Sequence, residues 1–433
     1  MAFIEKGDRT AFQRALRLGH GSAGVYLDEF GDAGVEEDIL HACRVNLCYD
    51  KQCEDCRAGY LFKLIQITNR THFYFQNIIV ASRDANADMH QICGILALAA
   101  QNGFEAARPV VYQIFENGLA NDAWHVDDVV LMDGLPGLLK ADDIVESKLG
   151  SNAEIPSYGF SFVIEDLKKG LDWDSIGIDI LEAAKTRPML QKSLIEVKER
   201  EDLQGQNKKP KSPYTPIETP EQFFDQLERE EKPSRWKRPL LPGNIRSSSE
   251  AIRTLAAETL VRSDDPNRQK LLLRTFGFID FPLDPELLFP LLNSDDSDVQ
   301  RWTGMALSNI SSRSIHDHVF VTCHGQLPPH IALKILNLST TAEDAPLVLQ
   351  LAISPQGLDE QHWSLSRAIE IYENTPEFDS QELLIFAYEN QPCSFCREHA
   401  VEWLIKEGYL TDAIRRECRW DAVERTRALV AAT

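Results

Sequence analysis

The sequence predicts an all-α protein of stacked helical hairpins, on three observations. Apolar residues recur at three- and four-residue spacing in segments such as QNIIVASRD, DMHQICGILALAAQ and FEAARPVVYQIFENG, most of them bounded by Gly, Asn or Asp. Strict alternation of apolar and polar residues is rare, and HVFVTCHG at 318–325 is the best strand candidate. A third pattern recurs in distant places. ALRLGHGSAGVYL (15–27), LAAQNGFEAARPVVY (98–112) and WLIKEGYLTDAIRRE (403–417) each join an apolar helix end, a glycine, a short spacer and a small residue opening the next helix. Glycine suits that place because it adopts the left-handed conformation that ends helices.

In chain order, the first unusual element is HACRVNLCYDKQCEDCRAGYL at 41–61, which holds Cys43, Cys48, Cys53 and Cys56. If Asp50 caps a helix over 51–67, then Cys53, Cys56, Tyr60, Leu64 and Ile67 form one apolar stripe, and cysteine serves there as a small core residue. Further on, Asp133 and Gly134 read as a turn. Residues 206–245 break the pattern, with seven of the 21 prolines and a net charge of +2. Proline removes backbone donors and forbids continuous helix, so this segment reads as a connector between a helical segment at 1–205 and a second at 246–433. Within the connector, Thr219 as cap and Pro220 at the first helical position predict one short helix near 220–231, with Phe223, Phe224 and Leu227 to dock it.

Residues 286–310, ELLFPLLNSDDSDVQRWTGMALSNI, resemble a HEAT repeat. A first helix ends in Leu-Leu, an Asp- and Ser-rich turn follows, and a second helix carries Asp298 as cap with Val299, Ala306 and Leu307 facing the next repeat. ENQPCSFCREHAVEWLIKEG at 389–408 is a looser copy, with Arg397, Ala400, Val401 and Leu404 in matching places. The resemblance implies a right-handed α-α superhelix, a solenoid of HEAT-like hairpins in two segments. Roughly 390 residues outside the connector allow eight or nine hairpins, and such stacks present an extended concave binding surface.

Carboxylates outnumber Lys and Arg 67 to 45, for a formal net charge of −22. That balance disfavours nucleic acid as the main ligand, without excluding a local basic patch, and favours a basic protein or peptide. The longest nearly unbroken apolar run, ICGILALAA, is too short to span a membrane. The N-terminus lacks the apolar stretch of a signal peptide, and nine cysteines are an odd number, so the reading is a cytoplasmic protein with free thiols.

Three clusters offer candidate metal ligands. Cys53 and Cys56 have CxxC spacing that Cys43 and Cys48 could complete. CSFCREH holds Cys393, Cys396 and His399. His316 and His318 sit one residue apart in a histidine-rich stretch. In the two cysteine clusters the packing reading outweighs the metal one, because the spacing also fits a helix face; for the histidines it does so because loop histidines without partners are commoner than ligands. No phosphate loop, dinucleotide fingerprint, HExxH motif or nucleophile elbow occurs, and no catalytic residue or cofactor is assigned. HEAT-like enzymes define the enzymatic alternative, a metal- or ligand-dependent one, but no histidine is followed by Glu as in HEAT-like di-iron hydroxylases. The expectation is a noncatalytic scaffold or adaptor that holds a basic protein in an acidic concave groove. The alternative within that class is an immunity-type inhibitor of a basic effector. Trp236, Trp363 and Trp420 are the candidate anchors, while Trp302 and Trp403 read as repeat packing.

Overall fold

A computed structural model describes residues 4–51, 57–119, 125–149, 158–169, 173–205, 214–230, 239–322, 327–355, 357–375 and 377–432. Among the described residues there are 24 α-helices and no strand, so the all-α expectation holds. None of these helices is long and apolar enough to cross a membrane. The chain divides into two compact units, one of residues 1–208, 393–398 and 410–433, the other of residues 209–392 and 399–409.

The first unit runs α1 (Arg9–Leu18), α2 (Ser22–Phe30), α3 (Glu36–Arg44), α4 (Arg57–Ile67), α5 (Thr71–Ala81), α6 (Met89–Gln101), α7 (Arg108–Gly118), α8 (Val126–Leu149), α9 (Tyr158–Lys169), α10 (Trp173–Ala184) and α11 (Pro188–Gly205). One apolar core runs through it, from Phe12 and Ile39 past Tyr60, Leu64, Ile92 and Phe115 to Val129 and Leu138. α6 is central, packing on α4, α7 and α8. α8 is broken at Gly134, whose φ of 63° and ψ of −141° only glycine adopts at little cost, so the turn expected at Asp133–Gly134 is present.

The motif ALRLGHGSAG explains how the chain ends meet within this unit. Gly19 ends α1 in the left-handed conformation at φ 65°. A β-carbon on Gly21 would lie 1.7 Å from the Glu417 carbonyl oxygen, and one on Gly24 would lie 2.5 Å from the Trp420 ring. Their bare backbones thus admit α23 (Asp412–Cys418), which packs on α2. Arg397 is fully buried there. It pairs with Asp421 through Nε at 2.9 Å and Nη2 at 3.1 Å, and donates to the carbonyls of Leu18 (2.9 Å) and Gly19 (3.2 Å) at the C-terminus of α1. The other two glycines of the recurring motif, Gly103 and Gly408, also have positive φ, 93° and 76°.

The second unit contains α12 (Pro220–Glu230), α13 (Leu241–Arg246), α14 (Glu250–Val261), α15 (Pro266–Phe276), α16 (Ser297–Leu307), α17 (Arg313–Thr322), α18 (Pro329–Leu336), α19 (Ala345–Ile353), α20 (Leu358–Asn374) and α21 (Gln381–Asn390). α22 (Ser394–Lys406) has residues in both units, and α24 (Glu424–Ala431) belongs to the first. α12 buries Phe223 and Leu227 and leaves Phe224 exposed. α15, α16, α18 and α20 pack on one another in succession. Gly304 sets the α16–α18 spacing, because a β-carbon there would lie 2.6 Å from Ile331 Cγ2.

Three local expectations are corrected. HVFVTCHG is not a strand: α17 covers its first five residues, burying Ile315, His316 and Val319 at helical spacing and leaving Val321 exposed, while Cys323–Gly325 lie outside the described residues. The cap of α16 is Asp296 rather than Asp298, with its Oδ1 accepting from the amides of Asp298 and Val299. The segment before it, Pro285–Asn293, is a 3₁₀ helix. Pro290 lacks the amide an α-helix would bond to residue 286, which favours the tighter winding.

Candidate functional site

In the second unit, one face of each of three successive helices lines a cavity of about 240 Å³. Capped by Asp296, α16 presents Arg301, Trp302 and Met305, α18 presents His330, Ile331 and Lys334, and α20 presents Trp363 and Arg367. The spacings of one, three and four put these residues on the same side of each helix. Gly304 completes the floor.

Its electrostatics oppose those of the chain as a whole, since the lining holds two arginines, a lysine and no carboxylate. Neighbouring acids only partly offset them. Arg301 pairs with Asp298 at 2.9 Å, Arg367 with Glu370 at 2.6 Å, and Lys334 stands 3.9 Å from that same glutamate. Burial, then Arg367, lowers the Lys334 ammonium below its usual range, and burial lowers His330. An anion in the cavity would relieve the crowding of like charge.

Aromatic surface adds to this. The guanidinium carbons of Arg301 and Arg274 lie 5.4 and 5.6 Å from the Trp302 ring, and that of Arg367 lies 5.8 Å from the Trp363 ring. Trp363 is 47% exposed. Trp302 Nε1 and His330 Nδ1 are buried with no hydrogen-bond partner among the described residues. Buried donors without partners are costly. The cavity therefore offers charge and stacking faces in one place.

Elsewhere most of the sequence candidates disperse. Cys43 is buried, its thiol pushed up to about 12 by desolvation, and Cys48 is half-buried. Cys53, Cys56 and Trp236 lie outside the described residues. His316 engages Asp344 at 3.1 Å and Asp317 at 3.2 Å, whereas His318 stacks on Phe289 with ring centroids 4.0 Å apart. On a helix, residues two apart point in nearly opposite directions, so the two imidazoles do not converge. Cys393 and Cys396 belong to the first unit and bring their sulfurs within 4.8 Å of each other. His399 belongs to the second, where its Nε2 lies 2.7 Å from Glu373 and Trp403 Nε1 donates to that same carboxylate. Trp420 packs over Gly24.

A further cluster joins residues distant in the sequence. Cys93 of α6 meets His125 and Asp128 at the start of α8, all three buried. Burial, then Asp128, pushes the Cys93 thiol well above its ordinary value. Comparison with family models, curated proteins and solved structures gave no match to this chain.

Proposed function

We propose that the chain is a noncatalytic binding protein, a scaffold of HEAT-like helical hairpins that docks an acidic segment of a partner protein in the cavity of its second unit. The observation that carries this reading is the lining: Arg301, Lys334 and Arg367 around Trp302 and Trp363, with no carboxylate among them. Cation and aromatic anchors of this kind dominate binding energy at protein interfaces. The cavity, at about 240 Å³, falls below the roughly 300–1,000 Å³ typical of small-molecule sites. It suits one or two side chains of a docked peptide better than a cofactor.

The succession of α15, α16, α18 and α20 supports the HEAT-like reading, because second helices stacked in register are how such repeats build a binding face. The local charge favours an acidic docking segment over the basic partner that the net charge of −22 suggests. Surface charge elsewhere on the chain remains suited to steering and solubility.

Peptide arrays of systematically varied charge, probed with the full-length chain, test the proposal. The expected result is retention on peptides that place Asp or Glu beside Phe, Tyr or Leu, lost in Lys334→Glu and Arg367→Glu proteins. Preferential retention on basic peptides, unaffected by those substitutions, would overturn it.

A further inference from the structure

The first unit brings together a thiol, an imidazole and a carboxylate that the docking proposal does not use. Cys93 is fully buried, His125 is 2% exposed and Asp128 is 6% exposed. One donor atom from each lies within 4.8 Å of those of the other two, and His125 Nδ1 is 3.2 Å from Asp128 Oδ2. Zinc bonds to sulfur, nitrogen and oxygen of about 2.0–2.3 Å put the donors of a tetrahedron about 3.3–3.8 Å apart. Shifts on the order of 1 Å, within the reach of side-chain rotation, would close the observed set onto such an ion.

We propose that Cys93, His125 and Asp128 form a zinc site, with His90 as the fourth ligand. His90 precedes Cys93 by three residues on α6 and so shares its face. Its ring centroid lies 5.5 Å from that of His125. His90 is exposed while the other three are buried, which gives an ion a route from solvent. Mixed thiolate, imidazole and carboxylate donors suit a metal of intermediate softness.

Two features of the surroundings fit this role. A β-carbon on Gly94 would lie 2.8 Å from the Ala58 methyl and 3.3 Å from Asp128 Oδ1. A larger residue there would push the carboxylate from the thiol, so glycine keeps the donors close. The Cys93 sulfur and a carboxylate oxygen of Asp128 lie within 4.8 Å of each other. Zinc would take the sulfur as thiolate, and the thiol proton would leave to solvent. Nucleophilic catalysis is the poorer use of these residues, because the thiol is fully buried and closed to a substrate.

Cobalt titration of the chelator-treated full-length protein, with zinc competition, tests the site. The expected result is one equivalent of tetrahedral Co²⁺ showing a thiolate-to-metal charge-transfer band, which zinc displaces and Cys93→Ser abolishes. His90→Ala, at an exposed position, should keep the fold and weaken binding on the order of tenfold or more. Failure of the wild-type protein to bind either metal, or a charge-transfer band that survives Cys93→Ser, would overturn the site. Should Cys93→Ser not fold, unchanged cobalt affinity in His90→Ala would overturn it instead.

Discussion

Arg397 and Asp421 form an ion pair with neither side chain exposed to solvent. The guanidinium also holds the last carbonyls of α1, Leu18 and Gly19, and Asp421 Oδ1 accepts from the Val423 amide. Each charge is thus satisfied several times over, the condition under which a buried pair is tolerated. Removing one partner leaves the other charge buried and uncompensated. Arg397→Ala and Asp421→Ala should each destabilise the protein by about 3–5 kcal/mol in urea denaturation. The double variant should lose much less than the sum of the two, since no bare charge remains.

Gly304 sits where α16 meets α18, and its missing β-carbon would fall 2.6 Å from Ile331 Cγ2. Gly304→Ala should destabilise by about 1–3 kcal/mol through overpacking. Ile331→Ala removes the obstructing methyl, so the two changes should couple favourably in a denaturation cycle. Strict additivity would mean that the helices simply move apart.

What could be read from sequence divides by the range of the interaction. Gly19, Gly103 and Gly408 were legible as helix stops because a left-handed residue is a local requirement. The cap falls two positions before Asp298 because SDDSD offers several capping oxygens, and it is Asp296 Oδ1 that reaches the first amides of α16. HVFV does not reveal its helix, because four residues carry either period. Trp363 was singled out, but Trp302, expected to pack, does so against Gly277 while also lining the cavity. A net charge is a sum, and it hid three cations that lie on three helices 66 residues apart from Arg301 to Arg367. Cys93 hides from His125 and Asp128 for the same reason: α7 and its flanking segments separate it from that pair, so no local spacing brings the three together.

His20 links stability to pH. It is buried, with Nδ1 against Ser22 Oγ at 2.8 Å, and its carbonyl accepts from Tyr60. Burial, then the charges of Arg397 and Arg14, holds its imidazole well below the ordinary value. In the unfolded chain it titrates near about 6.5. As pH falls below that, the unfolded state takes up a proton that the folded state refuses, so stability falls. His330 and His318 shift in the same direction. Urea midpoints should therefore decline from pH 7 to pH 5, and His20→Gln should flatten part of that slope. A slope unchanged by His20→Gln would place the linkage on other groups.

Trp363 separates binding from folding. Nearly half exposed at the cavity mouth, it contributes little to the core. Trp363→Ala should change unfolding stability by no more than about 0.5 kcal/mol. As an anchor for an acidic segment, it should cost about 2 kcal/mol of binding, roughly 30-fold in affinity. Arg367→Glu should weaken binding further, by replacing attraction with repulsion beside Glu370, and should reduce the dependence of affinity on salt. Fluorescence anisotropy of a labelled acidic peptide selected from the arrays, measured at two salt concentrations, reads both effects. Equal losses of stability and binding in Trp363→Ala would instead make Trp363 a packing residue, with the cavity a by-product of how α18 meets α20.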